Sequence, residues 1–134
     1  MSTRCNVIVK DCTIQNGVKK ENWQVKLYHH HDGYPEGVGK DLTNFINKLE
    51  DDFYVEDVVN GLLKNEKDKG YKWCNSLHGD IEYLYTIEMI DWKKEDENKW
   101  VMDIVLSYQA VTGGFTDDLK FGESTILTCR HFDC

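Results

Sequence analysis

The spacing of apolar residues changes twice along this chain, and the changes divide it into three parts. Between residues 38 and 63 the apolar side chains recur every three or four positions, which predicts two amphipathic helices. The first helix is predicted over 40–50. Asp51 and Asp52 are suited to cap the second, which ends in a charged run at 64–69 before Gly70. The fold must therefore bury one apolar face of each of two consecutive helices.

Strand-like runs lie on both sides of the two helices. The runs are residues 5–10, 23–29, 81–92, 99–111 and 125–132. The charged residues 93–98 are predicted to form a hairpin loop, and residues 112–118 a looser loop. The order β-β-α-α-β-β-β predicts the α+β class, with an antiparallel sheet of about five strands and two helices packed on one face. A length of 134 residues fits a single domain, 1–134.

Both sides of the strand-like run 81–92 are partly apolar. Tyr83 and Ile87 lie on one side of this run, whereas Leu84 and Ile90 lie on the other. An antiparallel sheet with one solvated face normally carries polar residues on that face. The second apolar side therefore predicts a possible homo-oligomer.

The chain is acidic, with a net charge of −8, and its lysines are scattered along the sequence. A protein that binds the phosphate backbone directly normally shows a basic patch, so nucleic acid is not expected as a direct partner. No apolar run reaches the ~20 residues of a membrane span. The five cysteines form no C-x-x-C pair. With no signal peptide at the start, this pattern predicts a cytoplasmic protein with reduced thiols.

The run 29–39 joins a predicted strand to the first helix and is rich in histidine and glycine. Free amides at Gly37 and Gly39, at the start of a helix, would favour an anion such as phosphate or carboxylate. Known phosphate loops do not match this run. Tyr34 stands where the P-loop needs glycine, and the dinucleotide pattern lacks its third glycine. The alternative interpretation is a tight turn at 32–35 that leads into the helix.

Two chemical alternatives to simple ligand binding can be examined in the sequence. A metal site could be assembled from His29, His31, Asp32, His78 and Asp80. However, the chain has no H-E-x-x-H motif and no paired cysteines, so we predict no metal and no cofactor. No serine lies in a nucleophile elbow, and the only cysteine with a histidine close by in sequence is Cys129, near His131. The residues therefore favour binding over catalysis.

The run 79–85 places tyrosines directly after a carboxylate. Most of this run is expected in the sheet core. Tyr83, close to His78 and Asp80, offers a stacking surface beside hydrogen-bonding groups, a combination typical of sites for purine-like ligands. The predicted ligand-binding residues are His29, His31, Asp32, Tyr34, Gly37, Gly39, His78, Asp80 and Tyr83.

Two stretches, HDGYPEGVG at 31–39 and GDIEYLY at 79–85, resemble a loose family of small uncharacterised proteins found in phages and prophages. The resemblance covers residues 23–89 and implies a phage or mobile-element origin. It carries no established catalytic residues onto this chain. Small acidic phage proteins often act against host defences, so the resemblance also implies an anti-defence role in the cytoplasm of the host cell.

Three functions are compatible with this resemblance. The first is a protein that sequesters a nucleotide-like signalling ligand without cleaving it, which the histidines, the junction glycines and the aromatic run favour. The alternative is an inhibitor that binds a host nucleic-acid-handling defence complex through acidic residues such as Glu95, Asp96 and Glu97. A second alternative is a metal-dependent phosphohydrolase. We predict the first, so the expected partner is a nucleotide-like small molecule, with a host defence protein as the alternative.

Overall fold

Seven strands form one sheet in the structure, a computed structural model that describes residues 3–50, 55–64, 70–94, 99–114 and 117–133. The strands are β1 (Cys5–Gln15), β2 (Val18–His29), β3 (Lys72–Cys74), β4 (Tyr83–Lys94), β5 (Lys99–Gly114), β6 (Asp117–Phe121) and β7 (Thr125–Asp133). The order across the sheet is β3-β2-β1-β4-β5-β6, and β7 also pairs with β5.

The predicted α+β class, with an antiparallel sheet of about five strands, is wrong. Strands account for 58% of the molecule and helices for 19%, so the fold is sheet-rich. The sheet is also mixed, because β1 runs parallel to β4, from Cys5 opposite Tyr83 to Ile14 opposite Trp92. Three features were not visible in the pattern. β3 is very short, β6 begins within the predicted loop 112–118 and continues to Phe121, and β1 continues to Gln15.

Two helices connect the β1–β2 hairpin to the rest of the sheet. A π-helical turn at Pro35–Gly39 leads into α1 (Lys40–Asn47), and α2 spans Val55–Lys64. The first helix is thus shorter than the predicted 40–50. The predicted cap of the second helix at residues 51 and 52, and the charged run 65–69 after it, lie outside the described residues.

The main core lies beneath both helices, on the side of the sheet that we call the inner face. Alternation along β1 and β4 sends their odd-numbered side chains to this face. Four helical residues pack onto them, with the spacing expected of amphipathic helices. These residues are Leu42, Ile46, Val58 and Leu62, and each is at most 2% exposed. Burial of the two helices is therefore what closes the inner face.

A smaller apolar cluster lies on the opposite side of the sheet, the outer face, near the first residues of β1 and β4. Ile8, Leu84 and Val111 come from three neighbouring strands, and Ile81 comes from the segment before β4. This packing covers the second apolar side of β4 at Leu84 with residues of the same chain. The pattern that suggested a second copy therefore has an explanation within one chain, and the homo-oligomer stays a prediction.

The acidic residues of the protein-binding alternative lie between β4 and β5 in the sequence. The predicted hairpin loop is shortened, because β4 continues to Lys94 and β5 begins at Lys99. Glu95, Asp96 and Glu97 lie outside the described residues. The described residues therefore do not show how these three acidic side chains are arranged, and the protein-binding alternative stays a prediction.

Within the described ranges, no helix combines the length and the apolar character needed to cross a membrane. The four described cysteines are free thiols: Cys5, Cys12, Cys74 and Cys129. Burial raises the pKa of the Cys5 thiol, which keeps this sulfur protonated and unreactive in the core.

Candidate functional site

The sheet separates the predicted ligand-binding residues onto its two faces. His29 and Tyr83 both lie opposite Cys5 in the strand register, so they share the inner face with it. Tyr83 packs against the main core there. His78 and Asp80 instead precede β4 on the outer face, among contacts with Tyr28 and Asn6 that are described below. The structure therefore brings His78 and Asp80 together but places His29 and Tyr83 elsewhere.

The strand-to-helix junction is a tight turn in which the Gly37 and Val38 amides have partners. The Gly37 amide donates to the Tyr34 carbonyl at 2.9 Å, and the Val38 amide donates to the Asp32 carbonyl at 2.8 Å. A Cβ atom on Gly37 would overlap the Asp32 carbonyl oxygen. Gly39 is buried at the start of α1. Close packing of the turn accounts for Gly37, and anion binding by the Gly37 and Gly39 amides stays a prediction.

The same junction is attached to the start of the chain and to the core. The Gly33 amide donates to the Thr3 carbonyl at 2.9 Å, and its carbonyl accepts the Tyr85 hydroxyl at 2.7 Å. The Tyr34 hydroxyl donates to Asp32 Oδ1 at 3.1 Å, and both side chains are exposed. Two predicted site residues, Asp32 and Tyr34, thus present a polar surface on a backbone that is held on two sides.

His29 is buried on the inner face and one of its nitrogens lacks a partner. The residue is 9% exposed, and its ring stacks on Tyr71 with the centroids 4.7 Å apart. Neither His29 Nδ1 nor the Tyr71 hydroxyl has a hydrogen-bond partner among the described residues. Burial lowers the pKa of His29 from its usual 6.5, and the neighbouring His31 adds to this shift. Burial therefore favours the neutral form of His29.

Replacing His29 with phenylalanine is expected to reduce the loss of stability toward acid pH. Because the folded-state pKa is lowered, the unfolded chain takes up a proton near pH 6.5 and the folded protein does so only at a lower pH. This contribution is complete above pH 6.5 and is lost as the pH falls below it. The loss reaches up to about 1.4 kcal/mol per pH unit. Phenylalanine keeps a ring against Tyr71 without the titration. Urea unfolding at about pH 7, 6 and 5 measures the slope.

The groups that act on His29 determine the control for this experiment. Gly70 contributes a backbone hydrogen bond, and the carboxylates of Asp41 and Asp32 also raise its pKa, against the effects of burial and His31. A His31→Gln protein keeps the buried imidazole and should retain most of the wild-type slope. A His29→Phe protein whose stability fell as steeply as that of the wild type would contradict this assignment.

Five side chains meet on the outer face, at the end of the sheet where β1 and β4 begin. We call this group the Arg4–Asp80 cluster, and its members are Arg4, Tyr28, His30, His78 and Asp80. Arg4 Nε donates to His30 Nδ1 at 3.2 Å and lies 3.1 Å from Asp80 Oδ2. The Tyr28 hydroxyl donates to the same Asp80 oxygen at 3.1 Å. Two donors from different parts of the chain therefore converge on one carboxylate oxygen.

Tyr28 lies at the centre of this cluster. The His78 ring stacks on it with the centroids 3.9 Å apart and the planes 15° from parallel. Burial, and then the negative charge of Asp80, raise the pKa of Tyr28 to about 12. The hydroxyl therefore stays protonated near neutral pH and keeps donating to Asp80.

Two groups of the cluster still have hydrogen-bonding capacity. Asp80 Oδ1 is buried without a partner among the described residues, although the side chain as a whole is 24% exposed. Arg4 is 35% exposed, and its terminal amino groups make no hydrogen bond within the described part of the chain. The cluster therefore offers an acceptor for an N–H or O–H group and a planar donor for phosphate or carboxylate.

Asn6 is fully buried behind the cluster and holds the segment before β4 in place. Its Nδ2 donates to the Leu27 carbonyl at 2.8 Å and lies 3.3 Å from Cys74 Sγ. Its Oδ1 accepts the His78 amide at 2.9 Å. One side chain thus connects β1, β2, β3 and the segment that carries His78 and Asp80.

The sequence prediction omits three members of the cluster: Arg4, Tyr28 and His30. Tyr28 and His30 are two residues apart, so they share the face of the strand that His29 does not. The sequence prediction instead included His29 and Tyr83, which the strand register places on the inner face. Alternation of side chains along β2 could have placed Tyr28 and His30 on the same face. Arg4 could be assigned to the cluster only once the pairing of β1 with β2 and β4 was known.

The candidate metal ligands are divided between the two faces of the sheet. His29 lies on the inner face, whereas His78 and Asp80 lie on the outer face. In the described ranges, no group of three or more His, Cys, Asp or Glu residues is arranged to hold a metal ion. His131 Nδ1 lies 2.6 Å from Asp103 Oδ1.

No protein-family model, curated protein or solved structure matches this chain. What the protein binds must therefore be inferred from the chemical groups that its own fold presents. Among the described residues, the Arg4–Asp80 cluster combines a buried acceptor without a partner, an exposed guanidinium and an aromatic stack.

Proposed function

We propose that this protein binds a nucleotide-like ligand at the Arg4–Asp80 cluster and sequesters it without cleaving it. The observation that carries the proposal is the asymmetry of the Asp80 carboxylate. Its Oδ2 is shared by Arg4 and Tyr28, whereas its Oδ1 is buried with no partner among the described residues. A buried polar atom without a hydrogen bond is unfavourable. An N–H of a base or an O–H of a ribose would remove that penalty on binding.

The other members of the cluster suit the remaining parts of such a ligand. The amino groups of Arg4 can bind a phosphate through two parallel hydrogen bonds. The His78 ring is exposed and rests on Tyr28, so a base can stack on the histidine surface that Tyr28 does not cover. Arg4 would then bind the phosphate, Asp80 would bind the ribose or the edge of the base, and His78 would stack on the face of the base.

The state of Asp80 and Tyr28 supports binding without cleavage. A hydrolase needs a base that can take a proton from water or from a nucleophile. Asp80 is engaged by Arg4 and Tyr28, and the Tyr28 hydroxyl, with its pKa raised to about 12, donates rather than attacks. The groups of the cluster are therefore suited to holding a ligand.

The resemblance of residues 31–39 and 79–85 to phage and prophage proteins supports the biological setting of the proposal. Sequestration of a signalling nucleotide in the cytoplasm of the host cell would prevent that signal from reaching a defence protein. The overall charge of −8 disfavours nonspecific binding of phosphates. Selective binding therefore depends on local donors such as Arg4.

An Asp80→Asn protein is expected to bind its nucleotide at least about tenfold more weakly than the wild type. The substitution keeps the shape of the side chain but removes the charge that Arg4 and Tyr28 contact. Isothermal titration with cyclic nucleotides and ADP-ribose-type compounds first identifies a ligand and then compares the two proteins. Recovery of the intact compound after heat denaturation separates sequestration from hydrolysis.

The matched control is Glu82→Gln, which makes the same charge change two residues away. Glu82 is exposed, and within the described part of the chain it contacts the cluster only through its backbone amide, which donates to the Arg4 carbonyl at 2.8 Å. Its binding should equal that of the wild type. Failure of every nucleotide to bind would refute the proposal, and release of a cleaved product would replace it with an enzymatic function.

A further inference from the structure

The recessed position of Asp80 Oδ1 restricts which part of a nucleotide can reach it. This oxygen is buried, although the Asp80 side chain is 24% exposed, and it has no partner among the described residues. A carboxylate oxygen only accepts hydrogen bonds, so the missing partner is a donor. The donors of a nucleotide are the N–H groups at the edge of the base and the hydroxyls of the sugar. Their positions relative to the His78 ring distinguish the two.

The stack of His78 on Tyr28 sets the height of a bound base. The two ring centroids are 3.9 Å apart, and the ring planes lie 15° from parallel. A base on the uncovered surface of His78 adds a contact of about 3.5 Å, which puts its plane roughly 7 Å from the plane of Tyr28. The base is then nearly parallel to the tyrosine ring, with the histidine ring between them.

Asp80 lies close to the plane of Tyr28 and far from the plane of such a base. A phenolic O–H stays near the plane of its ring, because the oxygen is conjugated with the ring. The Tyr28 hydroxyl donates to Asp80 Oδ2 at 3.1 Å, so this oxygen lies near that plane. The second oxygen of a carboxylate is closer to the first than a hydrogen-bond length, which leaves at least about 4 Å between Oδ1 and the base plane. An N–H group in that plane does not reach Oδ1.

The sugar of a ribonucleotide can bridge this gap. The ring is puckered and attached to the edge of the base, so its hydroxyls project out of the base plane. A single hydroxyl is also small enough to approach a recessed oxygen. Arg4 Nε lies 3.1 Å from Asp80 Oδ2, so a phosphate on the Arg4 amino groups is held close to Asp80. The 2′-hydroxyl meets both conditions, because it is adjacent to a phosphate on the 3′-carbon.

We infer that the Arg4–Asp80 cluster selects ribonucleotides, with Asp80 Oδ1 accepting the ribose 2′-hydroxyl and Arg4 binding the adjacent 3′-phosphate. The inference rests on the function proposed above and names the part of the ligand that Asp80 recognises. Asp80 is thus a specificity-determining residue. A 2′-deoxyribonucleotide leaves Oδ1 buried without a partner, as it is in the free protein, so this ligand gains nothing there.

Nucleotides that differ only at the 2′-position test the inference on the unaltered chain. Isothermal titration compares 3′,5′-cyclic AMP and 3′,5′-cyclic GMP with their 2′-deoxy and 2′-fluoro forms. Fluorine is similar in size to the hydroxyl but cannot donate a hydrogen bond. We expect each ribonucleotide to bind at least about tenfold more tightly than its two analogues, because a hydrogen bond to a charged acceptor has this strength.

One variant and one control connect the preference to Asp80. Asp80→Ala should bind the ribose and 2′-deoxy forms with nearly equal affinity, because the acceptor that distinguishes them is gone. Glu82→Gln should keep the wild-type preference. In the wild type, equal affinity for the three sugar forms would overturn the inference and leave nucleotide sequestration intact. The absence of binding by both cyclic ribonucleotides would also overturn it, whereas the proposed function fails only if ADP-ribose-type compounds do not bind either.

Discussion

An Asn6→Ala protein is expected to lose about 3 kcal/mol of its free energy of unfolding. The Asn6 side chain is fully buried, and it satisfies the Leu27 carbonyl at 2.8 Å and the His78 amide at 2.9 Å. Its removal leaves the buried Leu27 carbonyl without a partner, at a cost of about 1–3 kcal/mol, and also frees the part-buried His78 amide. Urea unfolding followed by tryptophan fluorescence measures the loss.

The same substitution should also weaken ligand binding at the Arg4–Asp80 cluster. The segment that carries His78 and Asp80 depends on the bond between the His78 amide and Asn6 Oδ1. The control is Asn22→Ala. The side-chain amide of Asn22 also makes two hydrogen bonds, to Asp11 and Thr13, but this residue is exposed. An exposed change of this kind is expected to cost at most about 0.5 kcal/mol. Equal stability of the two variants would show that Asn6 does not hold the segment.

The helices could be predicted from the sequence because their signal is local. Leu42 and Ile46 are four residues apart in α1, as are Val58 and Leu62 in α2, and all four are buried in the main core. Such spacing needs only neighbouring residues to define an apolar face. The end of α1 was placed too late, because residues 48–50 continue the pattern without joining the helix.

The sheet topology could not be predicted in this way. Alternation of side chains identifies a strand but gives neither its partner nor its direction. The parallel pairing of β1 with β4 joins Cys5 to Tyr83, across more than half of the chain. A three-residue strand such as β3 (Lys72–Cys74) is too short for a periodic pattern to appear. The number of strands and the mixed direction of the sheet therefore depend on tertiary contacts.

The candidate site illustrates the same limit at the level of single residues. His78 and Asp80 were predicted from their position before a strand, and both belong to the Arg4–Asp80 cluster. His29 and His30 are adjacent in sequence and alike in chemistry, yet one stacks on Tyr71 in the core and the other accepts a hydrogen bond from Arg4. Only the face of β2 on which each lies distinguishes them.

A Gly37→Ala protein is expected to be destabilised by about 3 kcal/mol, because the added methyl group would overlap the Asp32 carbonyl oxygen. That oxygen cannot easily move, because it accepts the Val38 amide at 2.8 Å. The next residue, Gly33, is held at its amide by Thr3 and at its carbonyl by Tyr85. Asp32 itself adopts a left-handed backbone with φ 54°, which leaves little freedom for adjustment. Thermal and urea unfolding measure the change.

The control for Gly37 is Gly122→Ala, where the added Cβ would be no closer than 3.4 Å to any neighbouring atom and should cost at most about 0.5 kcal/mol. The comparison also separates the two interpretations of the junction. If close packing of the turn is the reason for glycine at 37, Gly37→Ala loses stability in the absence of any ligand. A variant with wild-type stability that failed only in anion binding would instead assign the Gly37 amide to a ligand. We expect the first result, because that amide already donates to the Tyr34 carbonyl.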